Sequence, residues 1–222
     1  MTSDLALCAR WVISTGGVEQ LRTFLSAIPR ASAFAKAILA TLELPQYAHA
    51  PHANWPLIDA LVAMGEYATG SLLQALQDKD TRAQIPILTA LGRIRTVQNI
   101  EPIIACLDER RFCVAAVTAL QMIRNPEAVQ PLIRCLEFED VRTRKAAARA
   151  LGVLRATEAT DPLLRLLKDE DHYARRNAAE ALGKIGSRHA LEDLYVATQD
   201  RRKPVRSAAT KAIEMIRKKK AP

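Results

Sequence analysis

The string "DHYARRNAAEALGKIG" at residues 171–186 nearly repeats "DVRTRKAAARALGVLR" at 140–155, and "RKPVRSAATKAIEMIR" at 202–217 is a weaker third copy. A phrase that returns every 31 residues restricts a chain to architectures in which one supersecondary unit stacks on the next. Registering the sequence on the Ala-Leu pair extends the series backwards: Ala60-Leu61, Ala90-Leu91, Ala119-Leu120, Ala150-Leu151, Ala181-Leu182 and finally Ala212-Ile213, at spacings of 30, 29, 31, 31 and 31 residues. This is the period of a helix pair.

Pro102, Pro131 and Pro162 each fall twelve residues after an anchor alanine, opening "EPIIACL", "QPLIRCL" and "DPLLRLL"; "EDLYVAT" from Glu192 is a degraded fourth copy. Proline is tolerated in the first turn of a helix, where donors lack partners anyway, so a helix begins at each. A short acidic loop follows, such as "KDEDH" at 168–172, and then a second helix in which Ala146-Ala147, Ala178-Ala179 and Ala208-Ala209 precede the anchors. Alanine on one face lets helix axes approach the short end of the usual range of about 8–10 Å. Composition agrees: 49% hydrophobic residues with only 5% aromatics describes a core of Ala, Leu, Ile and Val.

The expected fold is all-α, a right-handed α-solenoid of stacked helix pairs with an irregular N-terminal helical cap. Residues 1–55 form the cap and its loop, with helices at 3–14, 18–28 and 30–43 punctuated by Gly16-Gly17 and Pro29; residues 56–222 form the array, ending in the basic tail "RKKKAP". The stretch "LPQYAHAPHANWP" at 44–56 reads as a long loop, a kind of segment that often carries function.

The formal charge of +8 is lopsided: residues 140–222 hold 20 Lys and Arg against 11 Asp and Glu, whereas residues 1–139 hold 12 against 13. A one-ended positive field suits an acidic partner, protein or nucleic acid. No apolar run reaches the roughly 18 residues of a spanning helix, and no basic stretch precedes an apolar one at the start, so a cytoplasmic protein with no membrane contact is expected. "LALC" at 5–8 has Leu7 where a lipoprotein site needs a small residue, so lipidation is not expected.

The phrase D-x-x-x-R-x-x-A-A-x-A-L-G resembles HEAT repeats, in particular the short HEAT-like repeats named after phycobilisome lyases, over about residues 56–217. The resemblance implies that the arginine six positions before each anchor pairs with an acidic residue of the inter-helix loop. Arg144, Arg175 and Arg206 would then form a structural ladder with Asp140 and Asp171, Arg202 breaking the acidic position in the last unit. Earlier repeats have Cys113 and Gln84 at the arginine position. The resemblance further implies that the second helix of each pair lines the concave side. Positions spaced by four along that helix share a face: Lys145 and Arg149, then Arg176, Glu180 and Lys184, then Ser207, Lys211 and Met215. Lys145, Arg149, Arg176, Lys184 and Lys211 are the candidate binding residues of a basic groove.

Four cysteines, at 8, 106, 113 and 135, include no CxxC spacing. Cys106 and Cys135 each stand four residues after their proline, where the next repeat has Leu166, so they read as buried filler rather than disulfide or metal ligands. His49 and His52, near Tyr47 and Trp55, are too sparse a set for a metal site, and His172 and His189 read as turn residues.

With no catalytic motif, the sequence reads as a non-catalytic scaffold that binds another protein of acidic surface through the basic face, and no cofactor is expected. The resemblance implies an alternative: a phycobilin lyase subunit, or a phycobilisome assembly or degradation factor, handling a linear tetrapyrrole on a phycobiliprotein, alone or with a second lyase-like subunit. Basic residues would then meet propionates, with His172, Tyr173 or the 44–56 loop near the ring system. A third reading is nucleic-acid binding, as in HEAT-like alkylpurine glycosylases, although Trp11 and Trp55 lie far in sequence from the basic third and no aromatic stripe is present. The HEAT-like deoxyhypusine hydroxylases depend on His-Glu pairs, and no His-Glu dipeptide occurs here.

Overall fold

A computed structural model describes residues 31–43, 55–78, 82–95 and 99–218. Every regular element among them is helical, as the periodicity requires. The first two cap helices, Cys8, Trp11, the loop residues Tyr47, His49 and His52, and the last four residues lie outside the described residues.

The chain divides into two compact units, residues 1–106 and 107–222. The first holds α1 (Ala31–Leu42), α2 (Trp55–Met64), α3 (Glu66–Leu76), α4 (Gln84–Ile94) and the single turn α5 (Glu101–Ala105), in which α1 packs on α2 and α3, α2 and α3 both pack on α4, and α5 packs on α3. Trp55 and Pro56, read from sequence as the end of the long loop, are instead the first residues of α2. The core of this unit is aliphatic: Ile38, Leu42, Leu57, Leu61, Leu72, Ile87, Leu88 and Leu91 are all buried.

The second unit contains α6 (Cys113–Ile123), α7 (Val129–Arg134), α8 (Val141–Leu154), α9 (Thr160–Leu166), α10 (His172–Ile185), α11 (Leu191–Ala197) and α12 (Lys203–Lys218). The odd-numbered helices from α7 on are short, and each is entered through a 3-10 turn: Pro126–Ala128, Thr157–Ala159 and Arg188–Ala190. Pro131 and Pro162 therefore stand at the third residue of α7 and α9, still inside the first turn, where the absent N–H forfeits no bond. Three of the long helices, α6, α8 and α10, end on a left-handed residue: Arg124 at φ 61°, Arg155 at φ 54° and Gly186 at φ 81°. The two arginines accept a strain on the order of 1 kcal/mol that glycine avoids.

The long helices α6, α8, α10 and α12 stack in sequence order, while α7, α9 and α11 pack on α8, α10 and α12. Ala147, Ala178 and Ala209 are fully buried in this stack. The glycine of the Ala-Leu-Gly phrase has a packing role: a β-carbon on Gly152 would lie 2.8 Å from Ala181 Cα, and one on Gly183 would lie 2.8 Å from Ala212 Cα. Backbone meets backbone at these two crossings, and this closeness brings the exposed faces of neighbouring long helices together.

Candidate functional site

The arginine ladder is present, but its partners differ from those expected. Arg144 donates from Nε and Nη2 to the two carboxylate oxygens of Asp169 at 2.8 and 3.1 Å, and from Nη1 to the carbonyls of Phe138 and Glu139 at 2.9 and 2.7 Å. Arg175 repeats the pattern one unit on, reaching Asp200 at 2.7 and 3.1 Å and the carbonyls of Asp169 and Glu170 at 2.8 and 2.9 Å. Both side chains are about nine-tenths buried. The carboxylate thus comes from the following repeat, so each rung staples two units. Asp140 and Asp171 are corrected from rung partners to helix caps: Asp140 accepts from Arg142 N at 3.2 Å, and Asp171 from Tyr173 N and Ala174 N at 2.9 and 3.0 Å. The reason is geometric, because a residue at the N-cap turns its carboxylate onto the orphan donors of its own helix. Arg206 keeps only the carbonyl half of the pattern, donating to Asp200 O at 2.7 Å.

The electrostatics follow. The Arg175 guanidinium, bonded to Asp200, holds that carboxyl below the ordinary aspartate value despite burial, and Arg175 is correspondingly raised. For Asp140, burial opposes ionisation, but hydrogen bonds from Arg142 N and Thr143 and the charges of Arg142 and Arg110 outweigh it and lower its pKa.

The predicted basic face belongs to the same helices, at positions next to the ladder arginines in sequence but turned away from them around the helix. A groove of about 350 Å³ runs between α10 and α12, lined by Arg176, Glu180 and Lys184 on one side and Ser207, Lys211 and Met215 on the other. Three of the five candidate cations thus meet in one depression. Arg176 is tied to Glu180 one turn on, Nε to Oε1 at 2.8 Å, and Glu180 partly neutralises the groove. Lys184 and Lys211 have no ion-pair partner among the described residues. The other two candidates lie on α8: Arg149 donates from Nε to Gln121 Oε1 at 3.1 Å, and the Lys145 ammonium sits 4.8 Å from the centre of the Tyr173 ring.

The structure adds two aromatic contacts to the residues named from the sequence, one at His172 and Tyr173 and one at Tyr195. Tyr173, half exposed, stacks on His172 with ring centres 4.0 Å apart, next to Lys145. On α11, Tyr195 and Val196 are exposed, and Arg217 of α12 donates to the Tyr195 hydroxyl. Tyr195, near the end of a short helix, carries no periodic signal, so spacing could not single it out. His189 faces Asp161 at 3.5 Å, both well exposed. Cys106, Cys113 and Cys135 are buried. Cys113 shares a hydrogen bond with Cys135, which brings its thiol down to about 7 against the effect of burial and pushes Cys135 up. No group of three or more His, Cys, Asp or Glu among the described residues is placed to hold a metal, and no helix among them is long and apolar enough to cross a membrane.

Comparison with known proteins agrees with this geometry. The sequence model described as HEAT repeats matches residues 113–173 and 160–222. No curated protein sequence matches the chain. Among solved structures, a designed armadillo repeat protein in complex with peptide (KR)4 is similar at a TM-score of 0.59 and 21% identity, covering 90% of this chain and 99% of that one. Human deoxyhypusine hydroxylase follows at 0.51 and 18%, covering 95% and 89%. A phycocyanin lyase complex from Nostoc sp. reaches 0.44 at 22% identity, covering 86% and 77%, which is too distant to support an argument. These identities establish the fold alone. The second compact unit of this chain, from α6 onward, is an array of HEAT repeats.

Proposed function

We propose that this chain is a non-catalytic scaffold that holds another protein through the basic face of α8, α10 and α12. The observation that supports it most is the groove between α10 and α12, where Arg176, Lys184 and Lys211 converge beside the apolar Met215. Cations around an open, partly apolar channel suit an acidic segment with at least one apolar side chain, since complementary charge sets register and encounter rate while the apolar contact adds affinity. The designed armadillo neighbour shows a protein of this fold holding a peptide, there a basic one; the cationic groove here calls for the opposite sign.

Reversing Lys145, Arg149, Arg176 and Lys211 together to Glu tests the reading. Fluorescence anisotropy with a labelled Asp- and Glu-rich peptide carrying one leucine should show binding to the native chain that weakens with salt, and at least tenfold weaker binding to the variant. Equal affinities would remove the groove from consideration. A labelled DNA duplex bound more tightly than the peptide, with a steep salt slope, would move nucleic acid ahead of protein.

A second reading, a linear tetrapyrrole handled on a phycobiliprotein, is supported by the His172–Tyr173 stack beside Lys145, an aromatic surface next to a cation that suits a planar propionate-bearing ligand. A red-shifted absorption band on mixing with a free bilin, lost in Tyr173→Ala, is its expected result; an unchanged spectrum dismisses it.

A further inference from the structure

We propose that a cavity between the loop before α6 and the loop before α8 is a receptor for an arginine side chain of a partner protein, which there fills a rung that this chain leaves empty. The site is separate from the basic face, and the inference stands whether or not that face binds anything.

The observation begins with what fills the same place in the next two units. At each, a guanidinium enters between two successive loops, gives one edge to two carbonyls of its own loop, and gives the other to a carboxylate twelve positions before the next anchor. One unit earlier both partners have changed together: Cys113 stands at the arginine position and Phe138 at the aspartate position. The backbone register has not changed. Cys113 N donates to Glu109 O at 2.9 Å, as Arg144 N does to Asp140 O at 3.2 Å and Arg175 N to Asp171 O at 3.1 Å. A cysteine side chain ends at its sulfur, well short of where a guanidinium would sit.

The space remains, as a cavity of about 350 Å³ whose lining includes Asp108, Cys113, Glu137, Phe138, Glu139 and Asp140. The carbonyls of Leu107 and Asp108 correspond to those that meet Arg144 and Arg175, and neither accepts a loop hydrogen bond among the described residues. The walls are acidic, with Arg110 the one cation among the lining residues. Glu137 is shared with Arg165 at 3.4 Å and Asp140 with Arg142 at 3.7 Å. Asp108 and Glu139 have no ion pair among the described residues. Phe138, half-buried, offers a ring on which a guanidinium can stack.

Loss of donor and carboxylate together explains why the fold tolerates the change, since no orphan charge is left at the rung. It does not close the hole. An arginine suits the hole better than a lysine, because acceptors are spread around a slot that two filled copies in the same chain show to fit a planar fork.

The test uses the full chain labelled with nitrogen-15 and titrated with the peptide acetyl-Gly-Ser-Arg-Ser-Gly-amide. Amide shifts should concentrate in residues 107–113 and 137–143, with at least tenfold weaker binding for the isosteric citrulline peptide and for free arginine amide. Cys113→Arg combined with Phe138→Asp, which completes the rung within the chain, should raise the melting midpoint and abolish the shifts. Should that pair misfold, Asp108→Asn with Glu139→Gln should weaken binding at least tenfold while leaving the melt unchanged. Equal binding of the citrulline peptide, shifts that map to α10 and α12, or undiminished binding by either variant overturns the proposal. Free arginine amide binding as tightly as the peptide overturns the partner-protein source.

Discussion

Replacing Arg175 with alanine lowers stability by about 3 kcal/mol, which for a chain of this size is roughly 6–12 °C in the melting midpoint. The guanidinium makes four hydrogen bonds, two to Asp200 and two to loop carbonyls, and its side chain is 8% exposed against 12% for Asp200. Removing it strands a buried carboxylate, and breaking such a pair from one side costs more than the pair contributes as a whole. Asp200→Asn, which keeps the shape and one acceptor, should cost about half as much. The pH dependence has a definite sign. Asp200 is lowered from its ordinary 3.8 in the folded protein, so the rung's contribution is complete above that value and drains away as pH falls through the depressed one. Native protein should therefore lose stability below about pH 4 more steeply than Asp200→Asn, read by urea unfolding at a series of pH values. Parallel profiles would show that the rung is electrostatically silent.

Gly183→Val should cost about 3 kcal/mol, by a different mechanism. The β-carbon alone would lie 2.8 Å from Ala212 Cα and 2.9 Å from Ala212 Cβ, and the first of these is backbone, which no rotamer change can move. Gly183→Ala is the informative companion: alanine gains about 1 kcal/mol in helix propensity, yet the crossing must open, so a net loss of about 1 kcal/mol is expected. Ala178→Leu, on the same helix at a fully buried site, should fall between the two. Thermal melts of the three variants check the order, and a Gly183→Ala variant more stable than the native chain would mean that α10 and α12 can separate freely. Because the groove of Arg176, Lys184 and Lys211 is lined by these same two helices, Gly183→Val should also weaken any ligand held there.

Much of this was legible in the letters. The anchors at Ala150, Ala181 and Ala212 gave both period and core, and positions four apart put Arg176, Lys184 and Lys211 on one face, which α10 and α12 turn into a single groove. The ladder was legible only by half. Arginine at 144, 175 and 206 marked the donors, but across the loops aspartates occur at two positions, Asp140 and Asp171 ten before the anchor, Asp169 and Asp200 twelve before it, and the loop of Asp169 and Asp171 has both. One signal could have decided between them: the last loop keeps Asp200 while Arg202 replaces the other. It is Asp200 that takes Arg175.

Sequence by itself determined the all-helical repeat, its period, its buried alanine seam and the sign of its exposed face, because helix formation and face burial depend on residues a few positions apart along one chain segment. Tertiary structure decided which carboxylate each ladder arginine meets, that Gly152 and Gly183 are contact points rather than helix flaws, and that Cys113 and Phe138 leave a cavity where their counterparts build a rung. Those outcomes depend on the offset between one unit and the next. That offset is set by how closely backbones pack across the stack, which no spacing within a single helix encodes.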